Sequence, residues 1–432
     1  MRKETAQFAG PASTARVFRS LLIALAAYLL FVPCRLAFGQ TAASAPLTLE
    51  QAVAIARANN PSLLSAEQNL FSVKAQELQA GVRENPYFTV YGSNLTNPAN
   101  STTPYAYSLQ LSRLFERGQK RRWRLDSARS TTEQTAAQFH DQQRQAVLLV
   151  KQAFTNMLQA KSALEIAEEN LKDFTRELNI NQERYKAGDI GKLDFERLDL
   201  QLAQYESDES AAKTTLAQSS YQLQTLLGYP KLTDTFDITG DMVPPLISHT
   251  RDVLEQTALA ARPDYRAARS AVLVADADVK LAYANGTADP IVEGEYDHSG
   301  TLSSYGFYIT VPIRIFDRNQ GNKATSKYTA QSSRFAEIAA RNQVYSDVDQ
   351  AWAGYVNAKV LSDRYNGHYL AEAKDVLSIA QFAYEHGGLA LIDYLNALQD
   401  SRTTQYAALS AYAQTWMAIH QLSFASATEI TH

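Results

Sequence analysis

The sequence predicts a mixed, mainly α-helical fold with an internal two-fold repeat. First, the segment Tyr185–Phe195 recurs 199 residues later as Tyr384–Tyr394, with Tyr, Gly, two aliphatic residues, Asp and an aromatic residue in register. Second, the stretches around both copies are long and free of proline. Third, two short segments 200 residues apart change from helical periodicity to an alternation of apolar and small or polar residues. A glycine-bearing turn between long helices, present twice, indicates a duplicated helical hairpin.

Residues 1–39 have the features of an export signal. Basic residues precede an apolar run at 21–32, and Ala37-Phe38-Gly39 offers a cleavage site with small residues at both ends. The run of about 12 apolar residues is shorter than the roughly 20 that a spanning helix needs. The sequence therefore predicts a signal peptide, removed after Gly39.

Cys34, the only cysteine, lies within this predicted signal. One interpretation is that it is removed with the signal. The other is that it is lipidated and anchors the chain, although Pro33 stands where lipid attachment favours a small residue. If the signal is removed, the mature chain has no cysteine, which excludes disulfides.

The charge balance argues against nucleic acid as a partner. The formal net charge is −4, with 41 Lys and Arg against 45 Asp and Glu, and there is no polybasic face. After the signal, no apolar stretch has the length of a spanning helix, so entry into a membrane would require β-strands.

Two repeats follow the signal, at residues 40–245 and 246–432. Each is predicted to begin with short helices, the second of which ends at a proline, Pro86 or Pro290. A β-hairpin follows, at about 86–115 and at about 289–315. A long helical hairpin completes each repeat, with its tip at about 185–195 in the first and about 384–394 in the second.

The predicted strands have a polar face and an apolar face. Glu293, Glu295 and Asp297 share one face of the third strand, while Val292 and Tyr296 share the other. Each strand is about ten residues long, which is typical of a transmembrane β-strand. The pattern indicates a wall between lipid and water; an ordinary soluble sheet with one buried face is the alternative.

Residues 119–187 contain neither Gly nor Pro and predict one helix of roughly 100 Å. Its apolar positions follow a heptad, which predicts supercoiling against neighbouring helices. In the second half the heptad from Leu370 to Tyr384 drifts, farther back, onto Tyr355, Lys359 and Asp363. A soluble coiled-coil rod would show the same pattern. The seam of the first helix comprises Val150, Ala153, Met157, Ala160, Leu164, Ala167, Leu171, Phe174, Leu178, Asn181 and Tyr185.

Four strands cannot close a barrel in lipid, because unpaired backbone groups there cost several kcal/mol each. Two copies would give eight strands with a filled interior, and three would give twelve around a water-filled lumen. The sequence therefore predicts a homotrimer: a 12-stranded transmembrane β-barrel, four strands per chain, continued by a long α-helical coiled-coil barrel in the periplasm.

In the signal, the repeat, the order of strands and long helices, and the paired Tyr-x-x-Gly-x-x-x-x-x-Asp turns, the sequence resembles the TolC family of outer-membrane efflux ducts. The resemblance covers residues 47–425. The junction from Val311 to Asn322 is similar to the CzcC-type branch, which serves heavy-metal or cation efflux.

The resemblance implies the passive outer-membrane channel of a tripartite efflux system, lying in outer-membrane lipid and extending into the periplasm. It implies a periplasmic adaptor, or membrane fusion protein, and an inner-membrane pump of the resistance–nodulation–division type as partners. The cargo would be small solutes, heavy-metal cations among them. The alternatives are drug efflux, type I protein secretion and, in a different class, a structural helical envelope protein.

The resemblance also assigns candidate sites. The adaptor-contacting tips would comprise Gly188, Asp189, Gly191, Gly387 and Gly388, and the two tips differ, since Asp189 matches Gly388. The alternative is a glycine helix cap without a partner.

The periplasmic aperture would involve Asp194 and Asp393. Asn396 stands where the family has a second acidic residue, and Asp400 lies about one turn farther along. The alternative is an Asp that stabilises a helix N-terminus.

No enzymatic or cofactor site is predicted. The seven histidines are scattered, with no pair at i and i+4 and no cysteine partner for a metal. No phosphate-cradling glycine loop or nucleophile elbow occurs. Glu293, Glu295 and Asp297 are interpreted as a lumenal surface that attracts cations weakly, or simply as the polar side of a strand.

Overall fold

The computed structural model describes residues 46–431, and the predicted signal with Cys34 lies outside this range. The same order of elements occurs in both halves: two short helices, a pair of strands and a long helical hairpin. The first half comprises α1 (Leu49–Asn59), α2 (Pro61–Ala80), β1 (Tyr87–Ser93), β2 (Ala106–Leu114), α3 (Lys120–Ala187) and α4 (Lys192–Leu226). The second comprises α5 (Arg251–Ala261), α6 (Pro263–Asn285), β3 (Ile291–Ser299), β4 (Leu302–Thr310), α7 (Gln320–Arg364), a π-helical turn (Tyr365–Tyr369), α8 (Leu370–Glu385) and α9 (Leu391–Ser426).

The short helices are separated in each half by a proline that occupies the first position of the second helix. Proline is favoured there because its missing N–H would have no partner within the helix. In the first half the Asn60 side chain caps α2 by accepting hydrogen bonds from the backbone of Ser62 and Leu63, at 2.9 and 3.3 Å. These junctions confirm the predicted pairs of short helices, but α2 ends at Ala80 and α6 at Asn285, before Pro86 and Pro290.

The four strands form one antiparallel sheet in the order β1-β2-β3-β4. β2 and β3 join the two halves, and β1 and β4 are the edges. The register places Ser108 opposite Asp297 and Gln110 opposite Glu295. Carboxylates and small polar residues therefore share one face, as predicted, and the other face is largely aromatic and aliphatic.

α3 confirms the prediction of one very long helix, which begins one residue later than expected because Gln119 has left-handed backbone angles (φ 60°). The predicted seam is buried or half-buried from Val150 to Asn181, and only its last member, Tyr185, is exposed. Within the described residues, no helix combines the length and the apolar character that crossing a bilayer requires.

The drift in the second half has a local cause, the π-helical turn at Tyr365–Tyr369. Before the turn, buried residues follow heptad spacing through Tyr355 and Ser362; after it, the seam resumes at Leu370. A π turn inserts one extra residue into an α-helix, which moves the seam by one position. Of the expected positions, Tyr355 is buried and Lys359 is half-buried, but Asp363 is wrong: it is exposed, and its neighbour Ser362 is buried instead.

The core divides into three clusters of apolar side chains. One packs α1 against α3 and α4, and its counterpart packs α5 against α7 and α9. A third cluster, near the tips, includes Phe174, Leu198, Tyr205, Tyr384 and Tyr394, and it draws the two helical hairpins together. Away from these clusters, α6 packs between α3 and α7.

Candidate functional site

The first tip reverses the chain at Gly188, which has φ 85°. The Gly188 N–H donates to the Tyr185 carbonyl at 3.0 Å, and the Asp189 N–H donates to the Arg184 carbonyl at 2.8 Å. Nothing lies within 4 Å of the position that a Cβ of Gly188 would occupy. The glycine is therefore required by backbone conformation and not by crowding.

The second tip repeats this geometry at Gly387, with φ 74°. Its N–H donates to the Tyr384 carbonyl at 3.1 Å, and the Gly388 N–H donates to the Ala383 carbonyl at 2.7 Å. Among the predicted tip residues, Gly191 is not left-handed: its φ of −74° places it as the residue preceding α4. Of the predicted tip glycines, the left-handed ones are thus Gly188 and Gly387, which the repeated motif aligns.

The aromatic residues of the repeated motif stack across each turn. The rings of Tyr185 and Phe195 lie 5.2 Å apart at 6°, and those of Tyr384 and Tyr394 lie 5.0 Å apart at 5°. The second pair is buried, whereas Tyr185 is 36% exposed. Stacking fixes the distance between the helices that flank a turn, which explains why both aromatic positions recur.

The predicted aperture residues lie near the start of the helices that follow the tips. Asp194 and Asp393 are in the first turns of α4 and α9. Asp194 is half-buried, while Asp393, Asn396 and Asp400 are exposed. A carboxylate in a first turn interacts favourably with the helix dipole, so the local structure is compatible with the simpler interpretation as well.

A buried polar link between the hairpins lies just behind the tips. The fully buried Asn181 donates through Nδ2 to the Glu177 carboxylate at 2.9 Å, and its Oδ1 accepts from the Tyr384 hydroxyl at 2.9 Å. The Arg184 guanidinium lies 5.3 Å from the centre of the Tyr384 ring. The sequence placed Asn181 on the seam but gave it no partner; a polar residue at a seam position was the available signal.

Burial raises the pKa of Glu177, and the hydrogen bond from Asn181 lowers it only in part. The nearby carboxylate of Glu385 adds to the rise. Burial likewise raises the pKa of Tyr394. The region behind the tips is therefore a low-dielectric environment in which charge is costly.

A second charged surface lies on the polar face of the sheet. The Gln110 amide donates to the Glu295 carboxylate at 2.8 Å. Glu293 lies opposite Ser112, and Asp297 lies opposite Ser108. Strand β3 thus carries three carboxylates on one face, as the sequence indicated. In the part of the chain that the structure describes, no three His, Cys, Asp or Glu side chains are grouped to hold a metal ion.

The chain matches a known family over part of its length. The family described as outer membrane efflux protein matches residues 52–229. The cobalt-zinc-cadmium resistance protein CzcC of Cupriavidus metallidurans is 23% identical over 378 residues, which is 87% of this chain and 89% of CzcC. The cation efflux system protein CusC of Escherichia coli K12 is 25% identical over 262 residues, which is 57% of this chain and 56% of CusC.

The fold also matches solved structures. A crystal structure of CusC has a TM-score of 0.74 at 22% identity, covering 88% of this chain and 91% of that one. This likeness shows that the barrel-plus-helical-barrel fold expected from the sequence fits the described chain.

Proposed function

We propose that this chain is a member of the TolC family of outer-membrane efflux proteins and forms the outer-membrane channel of a tripartite efflux system. It lies in the outer membrane and extends into the periplasm. It acts as a passive duct for small solutes, heavy-metal cations among them. CzcC and CusC are a resistance protein and an efflux protein by name, and no catalytic activity is proposed.

The two-faced sheet with free edges carries this proposal. Its apolar face suits lipid, its acidic face suits water, and the outer edges of β1 and β4 are unpaired in the described chain. An open edge in lipid is costly, so β4 of one copy must pair with β1 of another. Three copies supply twelve strands, enough to enclose a water-filled lumen.

The repeat supplies a register for this pairing. Ser108 of β2 faces Asp297 of β3 within the chain. In the repeat, β4 corresponds to β2 and β1 corresponds to β3. Tyr105 and Tyr305 set an offset of 200 between β2 and β4, so the counterpart of Ser108 is Tyr308. Pro86 and Pro290 set an offset of 204 between β1 and β3, so the counterpart of Asp297 is Ser93. Tyr308 of one copy is therefore expected opposite Ser93 of the next.

The helical tips are proposed to bind the periplasmic adaptor, which connects the duct to an inner-membrane pump of the resistance–nodulation–division type. Gly188, Asp189, Gly191, Gly387 and Gly388 form the two turns. The stacked aromatic pairs support this role, because they hold both turns in one conformation without a bound partner. Preorganised loops lose less conformational entropy on binding.

The aperture is proposed to be lined by Asp194 and Asp393, with Asn396 and Asp400 on the same side of α9. Three copies would bring these carboxylates around one axis at the periplasmic end. A ring of carboxylates in a narrow pore attracts cations. The exposure of Asp393 and Asp400 in the single chain leaves both available for such a ring.

The cargo is tested by deleting the gene and exposing the strain to cobalt, zinc and cadmium salts and to a panel of drugs. Heightened sensitivity to the metals, restored by the intact gene, is the expected result. Sensitivity to drugs alone would favour drug efflux, and loss of a secreted polypeptide would favour type I secretion. A weakened envelope with unchanged efflux of every compound would favour the structural alternative and contradict the duct.

A further inference from the structure

Helix α6 lies between two long helices, whereas its counterpart α2 lies against only one. α6 packs on α3 and on α7, while the long helix that α2 contacts in the described chain is α3. Most residues of α6 are accordingly buried or half-buried, and most residues of α2 are exposed. One flank of α2 therefore lacks the long-helix neighbour that α6 has.

Helix α7 shows the matching deficit. Tyr328, Phe335 and Ile338 are 77%, 62% and 41% exposed, and spacings of seven and three place them on one face. The junction residues Phe115 and Phe316 set an offset of 201 between the long helices. The corresponding residues of α3 are then Ser127, Gln134 and Ala137, which are all half-buried or buried. The face that is covered on α3 is therefore exposed on α7, where it carries aromatic and aliphatic side chains.

We propose that α2 of a second copy of this chain covers the α7 face formed by Tyr328, Phe335 and Ile338. This inference rests on the proposed trimer and names the helices that assemble it. The sheet supports the choice of occupant: α2 leads into β1 and β4 leads into α7, and β1 and β4 are its free edges. The unpartnered helices thus adjoin the unpartnered strands. A head-to-tail contact of this kind generates a ring when the rotation between copies closes.

The contact between α3 and α6 within one chain predicts the contact between copies. The Ser127 hydroxyl donates to the Asp278 carboxylate at 2.6 Å. The counterpart of Ser127 is Tyr328. The prolines Pro61 and Pro263 set an offset of 202 between the short helices, so the counterpart of Asp278 is Gln76. Tyr328 of one copy therefore lies opposite Gln76 of the next, and a phenol can donate to an amide oxygen.

A second pair follows from the same transfer. Within the chain, the Lys280 ammonium lies 4.9 Å from the centre of the Trp123 ring. With the same offsets, the counterpart of Lys280 is Leu78 and the counterpart of Trp123 is Ala324, so these two residues are expected to meet between copies. Leu78 is 77% exposed in the single chain, and the interface would remove its apolar side chain from water. A charge–ring contact in one interface is thus replaced by an apolar contact in the other.

The test is a cysteine pair, Tyr328→Cys with Gln76→Cys, in the protein purified from outer membranes and oxidised with diamide. The expected result is covalent dimers and trimers on a non-reducing gel, absent from either single variant. The matched control is Ser127→Cys with Asp278→Cys, which should form its disulfide inside one chain, with loss of both thiols and no increase in mass. Failure of Tyr328→Cys with Gln76→Cys to cross-link, while this control does, overturns the inference.

A third pair separates the interface from the trimer itself. Ser93→Cys with Tyr308→Cys reports the pairing of β1 and β4 between copies. If this pair cross-links and the helix pair does not, the helix interface is wrong and the proposed trimer stands. If neither pair cross-links and light scattering finds monomers, the proposed trimer fails with it.

Discussion

Asn60 and Arg262 occupy equivalent positions and make equivalent tethers with different chemistry. The Asn60 amide donates to the Leu226 carbonyl at 2.8 Å, and the Arg262 guanidinium donates to the Ala425 carbonyl at 3.4 Å. Each residue precedes the proline that begins the second short helix of its half, and each is hydrogen-bonded to the end of that half's last helix. The repeat has thus kept a connection while changing the residue that makes it.

Arg262 makes ion pairs in addition to its backbone hydrogen bond, so we expect its replacement to cost more stability than replacement of Asn60. Arg262 also pairs with Asp264 at 2.5 Å and Asp347 at 2.7 Å, and its side chain is almost fully buried. Arg262→Ala would leave two carboxylates without this partner. We expect a loss of about 2–4 kcal/mol, below the cost for a fully buried pair because both carboxylates keep some solvent. Thermal unfolding followed by circular dichroism measures it.

The same variant has a pH signature. Burial raises the pKa of Asp264, but its hydrogen bond from Arg262 and the charge of Arg144 outweigh that effect and lower the pKa below its usual value. A lowered pKa contributes stability above the unfolded value of about 3.9, and this contribution is lost as the pH falls through the folded pKa. The deficit of Arg262→Ala should therefore shrink in acid. A deficit that is equal at pH 7 and pH 3 would contradict the role of the ion pairs.

Glu177→Gln tests the buried link behind the tips. Because the folded pKa of Glu177 is raised, the carboxylate costs stability increasingly as the pH rises above its unfolded value of about 4.3. Glutamine keeps the acceptor for Asn181 and cannot ionise. The variant should gain stability relative to the natural chain between pH 4 and pH 8. Glu183→Gln, the same change at an exposed position of α3, is the control. An equal gain in both variants would place the effect elsewhere.

Gly387→Ala tests the second tip. At φ 74° an alanine is strained by about 1–2 kcal/mol, although there is space for its methyl group. The turn should rearrange, and resistance to the exported compound should fall while trimers persist on gels. Gly354→Ala is the matched control, since Gly354 lies inside α7 with nothing within 4 Å of its Cβ position. Full resistance in Gly387→Ala would count against adaptor binding at this tip.

Asp393→Ala tests the aperture. If carboxylates from three copies hold the periplasmic end closed, removing three of them should raise the basal conductance severalfold and weaken the preference for cations. Asp375→Ala, an exposed position of α8, should leave the current unchanged. An unaltered single-channel current in Asp393→Ala would retire the gating role and leave the simpler role at a helix N-terminus.

Much of the fold was predictable because its signals are periodic. The alternation in the strands predicted both faces of the sheet, and the absence of Gly and Pro predicted α3 almost to its first residue. The repeated turn located the left-handed glycine of each tip, Gly188 and Gly387. The π-helical turn was not predicted, since only the drift of the seam marked it. One inserted residue is not visible in a heptad until the contacts on both sides are known.

The candidate site was predictable only in part. The motif gave the aromatic positions of both tips, but their stacking depends on how two helices approach each other. The bond from Tyr384 to Asn181 joins residues 203 positions apart, so local sequence carries little trace of it. The aperture depends on neighbouring copies, and a single sequence gives the positions of Asp194 and Asp393 without their distances from an axis.

The central claim, that copies of this chain form a water-filled duct, is tested most directly by single-channel recording in planar bilayers. The purified natural protein and a variant with both tips loosened, Gly188→Ala with Gly387→Ala, would be compared. We expect discrete, cation-preferring steps that are larger or longer-lived in the loosened variant. A trimer that never conducts, even with both tips loosened, would contradict the duct.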